Sequence, residues 1–348
     1  LHSVGNLVFY EELSGFVDEL SEESLMNFLR IAVWLGALVI VWSAGQDVHA
    51  QRLSSFDFLR IESSAKAAAF GGTILSASSA PSHAMFYNPA LPRSSTDRHL
   101  SISWLNHLSN LQAGTVTYGQ NLETLGLLSS GVRFFSWGQI DRADEFGETS
   151  GTFSSSSFAL SSGLSRTWNQ RIRYGANVHL IYTSIAEYNA FAVALDVGGV
   201  YHVEDQGLTL ALGATNMGLA FSSLGQTTDR VPFDVRFTAS KRLRYIPFLI
   251  GVTLHDLGHV HEVTSVEEGF GHTIVSLEFQ AIPVFHVRMG YSHRKRGLKS
   301  DRRLDFAGTS MGFGLRLRRF HFDYSFSSWS FAGLHQFTIS TQFRKRDQ

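Results

Sequence analysis

Cysteine is absent from all 348 residues, which excludes disulfides, thiolate catalysis and cysteine-ligated metal. Only 6 prolines occur, and Pro232, Pro247 and Pro283 stand at the starts of candidate strands, where a missing N–H costs least. Charge is scarce as well. Asp, Glu, Lys and Arg make up 17% of the chain, against roughly 25% in soluble domains. A net charge of −1 leaves no global field to recruit nucleic acid or steer an ionic substrate. After residue 50 no run of 18 apolar residues occurs, so no transmembrane helix is expected in a mature chain. What remains is apolar and aromatic: 44% hydrophobic, with 28 Phe and 31 Gly.

Residues 26–50, MNFLRIAVWLGALVIVWSAGQDVHA, have the layout of a secretory signal peptide. Arg30 supplies the positive start, and Ile31–Trp42 is a run of 12 apolar or glycine residues. That is short for a membrane span, which needs about 20. Val48-His49-Ala50 resembles a small-x-Ala cleavage site, so the cut is expected before Gln51. Residues 1–25 are then expected to lie upstream of the true start, outside the fold.

From about His99 the hydrophobic period is two, the period of a strand. In FHFDYSFSSWS (320–330), Phe320, Phe322, Tyr324 and Phe326 alternate with His321, Asp323, Ser325 and Ser327. Between Arg171 and Thr183, Tyr174, Val178, Leu180 and Tyr182 share one face, and Arg173, Asn177, His179 and Thr183 the other. Fourteen such runs are expected, starting near 99, 112, 125, 152, 171, 189, 207, 232, 246, 272, 284, 304, 320 and 334. The count is even, and the long connections (137–151, 218–231, 257–271 and 294–303) all follow odd-numbered strands. Short turns on one side and long loops on the other is how outer-membrane barrels are built. The fold class expected is therefore all-β: a 14-stranded antiparallel transmembrane β-barrel (99–343) in the bacterial outer membrane, with a short periplasmic tail at 344–348. In hydrocarbon a closed barrel pairs every backbone group without leaving an edge. Residues 51–98 do not alternate and are rich in Ala, Ser and Gly, with a short helix expected near Ser63–Phe70. Too polar for lipid, they are expected inside the barrel as an N-terminal plug.

Several stretches carry a family likeness. FLRIESSAKAAAFGG (58–72), MFYNPALP (85–92) and FFSWGQIDRADEFGETSGTFSSSSFALSSGLSR (134–166) resemble the PorV/PorQ family of the type IX secretion system, within the wider class of FadL-like barrels. TNMG (215–218) and VPFDVRFTASKRL (231–243) are similar to its PorQ branch. The segment Val260–Gly271 has no counterpart in that likeness. The resemblance implies a non-enzymatic barrel without cofactor, anchoring a PorZ-like surface protein. Its other implied partners are the sortase and PorV-type attachment complex, which joins cargo to anionic lipopolysaccharide. The alternative is a FadL-like transporter of hydrophobic small molecules, which would need an apolar pocket at the plug and a lateral opening in the wall. Only Phe56, Phe58, Phe70 and Met85–Tyr87 offer apolar bulk there.

Three local motifs bear on chemistry. GTSMG (308–312) matches a G-x-S-x-G nucleophile elbow, but the residues after Ser310 alternate as a strand, so its glycines are expected to ease a crowded wall. HDLGHVHE (255–262) offers three His, one Asp and one Glu; such a set can ligate zinc, but a solvated or partner-facing loop is the expectation, with no metal. RKRGLKSDRR (294–303) places Arg294, Lys295, Arg296, Lys299, Arg302 and Arg303 in a loop expected to be extracellular. Guanidinium binds phosphate and carboxylate bidentately, making these six the candidate contacts for lipopolysaccharide or an acidic partner. The inward charges Arg173, His179, Asp234, Arg236, Arg288, Arg316 and Asp323 are expected to pair with one another or with the plug.

Overall fold

The computed structural model describes residues 54–75, 80–106, 111–143, 149–222, 224, 229–258, 270–296, 306–329 and 332–343. The expected signal peptide, the residues before it and the tail at 344–348 lie outside these.

Fourteen antiparallel strands, β1 (His99–Asn106) to β14 (Ala332–Gln342), close into one barrel in sequence order, with β14 paired to β1. The intervening strands are β2 (Gln112–Leu122), β3 (Gly126–Ala143), β4 (Thr149–Thr167), β5 (Ile172–Ile185), β6 (Tyr188–Val203), β7 (Leu208–Ser222), β8 (Asp234–Arg242), β9 (Phe248–Leu254), β10 (Thr273–Ile282), β11 (Phe285–Ser292), β12 (Thr309–Leu317) and β13 (Phe320–Trp329). The largest departure from the expected starts is at β12, which begins at Thr309 rather than near 304. Closure runs from His99↔Gln342 to Asn106↔His335, so no edge is left there.

The outer wall is apolar. Ile102, Trp104, Val178, Leu180, Phe313, Phe322, Phe337 and Ile339 are all exposed on it. On the same strands Ser101, Ser103, Asn177, His179, Ser325 and Thr338 are buried inside. A soluble barrel would bury the first set and wet the second. The reverse polarity identifies an outer-membrane barrel with its aromatic rows towards lipid. Tyr324 sits between Phe313 and Phe337, with ring centroids 5.3 and 5.2 Å away. Among the described residues no helix is long and apolar enough to cross a membrane, and strands do the crossing.

Two expected loops need correction, since β7 runs on to Ser222 inside the expected 218–231 connection. Residues 137–151 were expected as a loop, yet β3 extends to Ala143 and β4 starts at Thr149. Register shifts at Ser136/Gly138 and Asp141/Ala143 move the side-chain phase, which hides the period of two in the sequence. The wall is consequently uneven. Strands β3–β7 have 14 to 19 residues, whereas β8–β12 have 7 to 10. Among the described residues, β7 pairs with β8 only as far as Thr215↔Asp234, and its upper part, Met217–Ser222, pairs with β6 alone.

The described part of 54–98 lies within the barrel. Its one α-helix, α1 (Ala65–Ala69), is buried and capped by Ser64, whose side chain accepts from Ala67 N at 3.3 Å. Inward glycines let the plug backbone touch the wall. A Cβ at Gly290 would overlap the backbone of Phe70 and Gly71, and one at Gly175 would come 2.5 Å from Pro89 O. Gly312 of GTSMG does the same for Ala69, whose Cβ would be 2.7 Å away. Ser310 lies in β12, not at a strand–turn–helix elbow.

Candidate functional site: the plugged lumen

The lumen has three layers, each set by which residues the inward phase of the strands delivers. Towards the ends of β1 and β5, and the starts of β2, β6 and β14, the layer is apolar. Leu105, Ala113, Phe135, Ala159, Ile181, Ala190, Ala192, Ala194, Val231 and Leu334 form one buried cluster with plug residues Phe56, Phe58 and Leu59. Alanines recur on the inner faces of β4 and β6, so the wall recedes and the two phenylalanines fill the space. This is the extracellular half, because the long connections after β7, β9 and β11 open from it.

The middle layer is polar and clasps plug carbonyls. Arg133 Nη1 donates to Leu59 O at 2.7 Å, Asn177 Nδ2 to Met85 O at 2.9 Å and Arg173 Nη1 to Leu91 O at 3.0 Å. Arg236 Nη1 donates to Gly72 O at 3.2 Å, and its other nitrogens bond Asp234. His179 bridges Ser161 and Asp196, both at 2.6 Å. The third layer, at the periplasmic end, is a cavity of about 480 Å³, lined by Lys66, Arg242, Glu278, Arg288, Arg316 and Asp323 among others. Arg288 holds Glu278 at 2.8 Å and Asp323 at 2.5 Å across it.

The inward charges expected to pair do so for Arg236, Asp234, Arg288, Asp323 and His179, while Arg173 holds a plug carbonyl. Asp196 and Glu278, which complete two of these groups, were missed. Each is the lone acid of its strand, on the inward phase, and that was the available signal.

At the extracellular rim, Asp256 organises a second ionic group. Its carboxylate accepts from Arg60 at 3.4 Å and from Arg294, while its N–H donates to Asp234 Oδ1 at 2.7 Å. Burial alone would raise the Asp256 pKa. The hydrogen bond from His255 and the charges of Arg294 and Arg60 outweigh it and hold the carboxyl well below the usual range. His255 and Asp256 are thus buried, not solvated as expected, because they fold under the rim. His272 joins them, with one ligand atom from each residue within 4.8 Å of the others. Both Asp256 oxygens already face arginine, which disfavours a cation there. His259, His261 and Glu262 lie outside the described residues, as does nearly all of Val260–Gly271.

Of the six candidate partner-binding residues, two point inward to other duties. Arg294 pairs with Asp256, and Lys295 pairs with Glu62 of the plug. Arg296 ends the short helix α2 (His293–Arg296). Lys299, Arg302 and Arg303 lie outside the described residues.

No protein-family model matches the chain, and no curated protein matches it. Solved structures do. The Pseudomonas putida toluene transporter TodX is 13% identical, with a TM-score of 0.48 over 83% of this chain and 98% of its own. A Pseudomonas aeruginosa FadL homologue is 10% identical, with a TM-score of 0.47 over 81% and 98%. The CymD monoaromatic hydrocarbon channel is 10% identical, with a TM-score of 0.48 over 83% and 99%. The barrel itself is established by its own strand pairing.

Proposed function

We propose that the chain is an outer-membrane transporter of small hydrophobic molecules. The observation that carries this reading is the apolar layer in the extracellular half of a lumen that is otherwise polar. Outer-membrane barrels line their interiors with polar groups, so an inward stripe of alanines facing two phenylalanines calls for an occupant that is itself apolar. Phe56 and Phe58 occupy that space in the closed state. Each contributes about 1.5–3 kcal/mol of burial, an amount an incoming apolar compound can replace. The flank of β7 above Thr215, where pairing with β8 stops among the described residues, is the place where such a compound would enter from the lipid side.

The test is uptake of an apolar compound by cells that depend on this barrel. Ala192→Phe crowds the recess and should abolish uptake, measured per folded barrel. Equal uptake by the variant overturns the reading.

A second reading is favoured by the clasped plug. A barrel whose plug carbonyls are held at Leu59, Met85 and Leu91 suits an anchor that conducts nothing. This is the type IX role implied by the PorV/PorQ resemblance, with a PorZ-like surface partner. Gentle purification from the native membrane should then bring down a stoichiometric surface protein, lost on deleting 294–303. An apolar ligand in its place sinks the anchor.

A further inference from the structure

We propose that the periplasmic mouth holds a binding site for a small oxyanion of the phosphate class, separate from the apolar layer. A cavity of about 200 Å³ lies between Pro92–Ser94 of the plug, the β2–β3 turn, the end of β4 and the start of β5. Three arginines line it, Arg93, Arg166 and Arg173, against one carboxylate, Glu123. Glu123 is exposed, whereas Arg173 is only 7% exposed.

Arg173 is the central observation. Three arginines of the described residues are buried. Arg288 holds two carboxylates, and Arg133 lies over the Phe86 ring at 3.8 Å. Arg173 has neither. Its Nη1 bonds Leu91 O at 3.0 Å, and its Nη2 is buried without a hydrogen-bond partner among the described residues. Clasping the plug does not require the charge, since Asn177, on the same strand, clasps Met85 O with a neutral amide. A buried cation with an open donor is costly unless an anion satisfies it. The guanidinium fork matches the spacing of phosphate oxygens. Ser94 and Thr124 add hydroxyls on the same wall. The occupant is therefore a compact anion with several oxygens, either free phosphate or a phosphomonoester of the periplasm, or the phosphate of a lipid headgroup.

The experiment titrates inorganic phosphate into the full barrel in a maltoside detergent, which contains no phosphate, by calorimetry and thermal unfolding. Sodium chloride at matched ionic strength is the control. Saturable binding is expected, at least tenfold weaker in Arg173→Gln, which removes the buried charge and its open donor. Arg93→Gln, on the plug side of the cavity, should weaken binding too, and carries the test if Arg173→Gln fails to assemble. Phosphate acting no better than chloride, or binding the substituted barrel as tightly as the wild type, overturns the proposal. Repeating the titration in phosphatidylglycerol nanodiscs separates the sources. A retained response identifies a soluble oxyanion. A response seen in detergent and lost in the nanodisc identifies a headgroup already seated there.

Discussion

Lys295 Nζ is paired with Glu62 Oε1, although 233 residues separate them. The pair joins the segment after β11 to the plug just before α1. With Arg294 on Asp256 and Arg60 on the same carboxylate, it stitches the extracellular rim to the plug. The basic run at 294–303 thus begins as an internal clamp.

Breaking that clamp should loosen the upper plug without unfolding the barrel. Because the chain has no cysteine, a single cysteine at Ser63, buried beside the helix cap, can report plug exposure. In Lys295→Met its labelling by a thiol reagent should quicken severalfold relative to the parent. Unchanged labelling would show that the apolar layer alone holds the plug.

The rim should also respond to acid. The Asp256 carboxyl is held below its ordinary value, so its contribution to stability is present above the unfolded carboxylate pKa of about 3.9. It is lost as pH falls towards the folded value. Acidification below about pH 4 should therefore move the protein progressively towards the behaviour of Asp256→Asn, and the variant's own thermal unfolding should be less acid-sensitive. A variant as acid-sensitive as the wild type would place the titration elsewhere.

Gly290→Ala should be disruptive, because the added methyl meets plug backbone that cannot move aside. Overpacking of this kind costs typically about 1–3 kcal/mol. Denaturant unfolding in lipid should show that loss, whereas Gly271→Ala, with no atom within 4 Å, should be neutral. Equal behaviour of the two would argue against a tightly seated plug.

Phe337 faces outward beside Tyr324 and Trp104. Phe337→Arg should cost about 2–4 kcal/mol if it lies near the bilayer midplane. Thr338→Ser, one residue along and facing the lumen, should be mild. A tolerated arginine would mean that this face is not in lipid.

Most of the barrel was legible because a period of two survives wherever one face meets lipid and the other the lumen. It failed at β3 and β4 above Ser136, where bulges reset the phase and both faces are polar. The apolar layer was undervalued from the plug alone, since Phe56 and Phe58 are only half of it. The rest comes from alanines on β4 and β6 together with Leu105, Phe135, Ile181 and Leu334 on other strands, which only barrel closure brings together. Long-range pairs such as Lys295–Glu62 have no local signature in a sequence.

The central claim is that the extracellular half of the lumen accepts an apolar compound where Phe56 and Phe58 now sit. Ligand-observed NMR with a monoaromatic hydrocarbon, on barrels in nanodiscs, tests it most directly. Saturable binding should tighten roughly tenfold, or about 1.4 kcal/mol, in Phe56→Ala, which empties part of the recess, and vanish in Ala192→Phe. Identical signals from all three barrels, matching an empty nanodisc, would contradict the account.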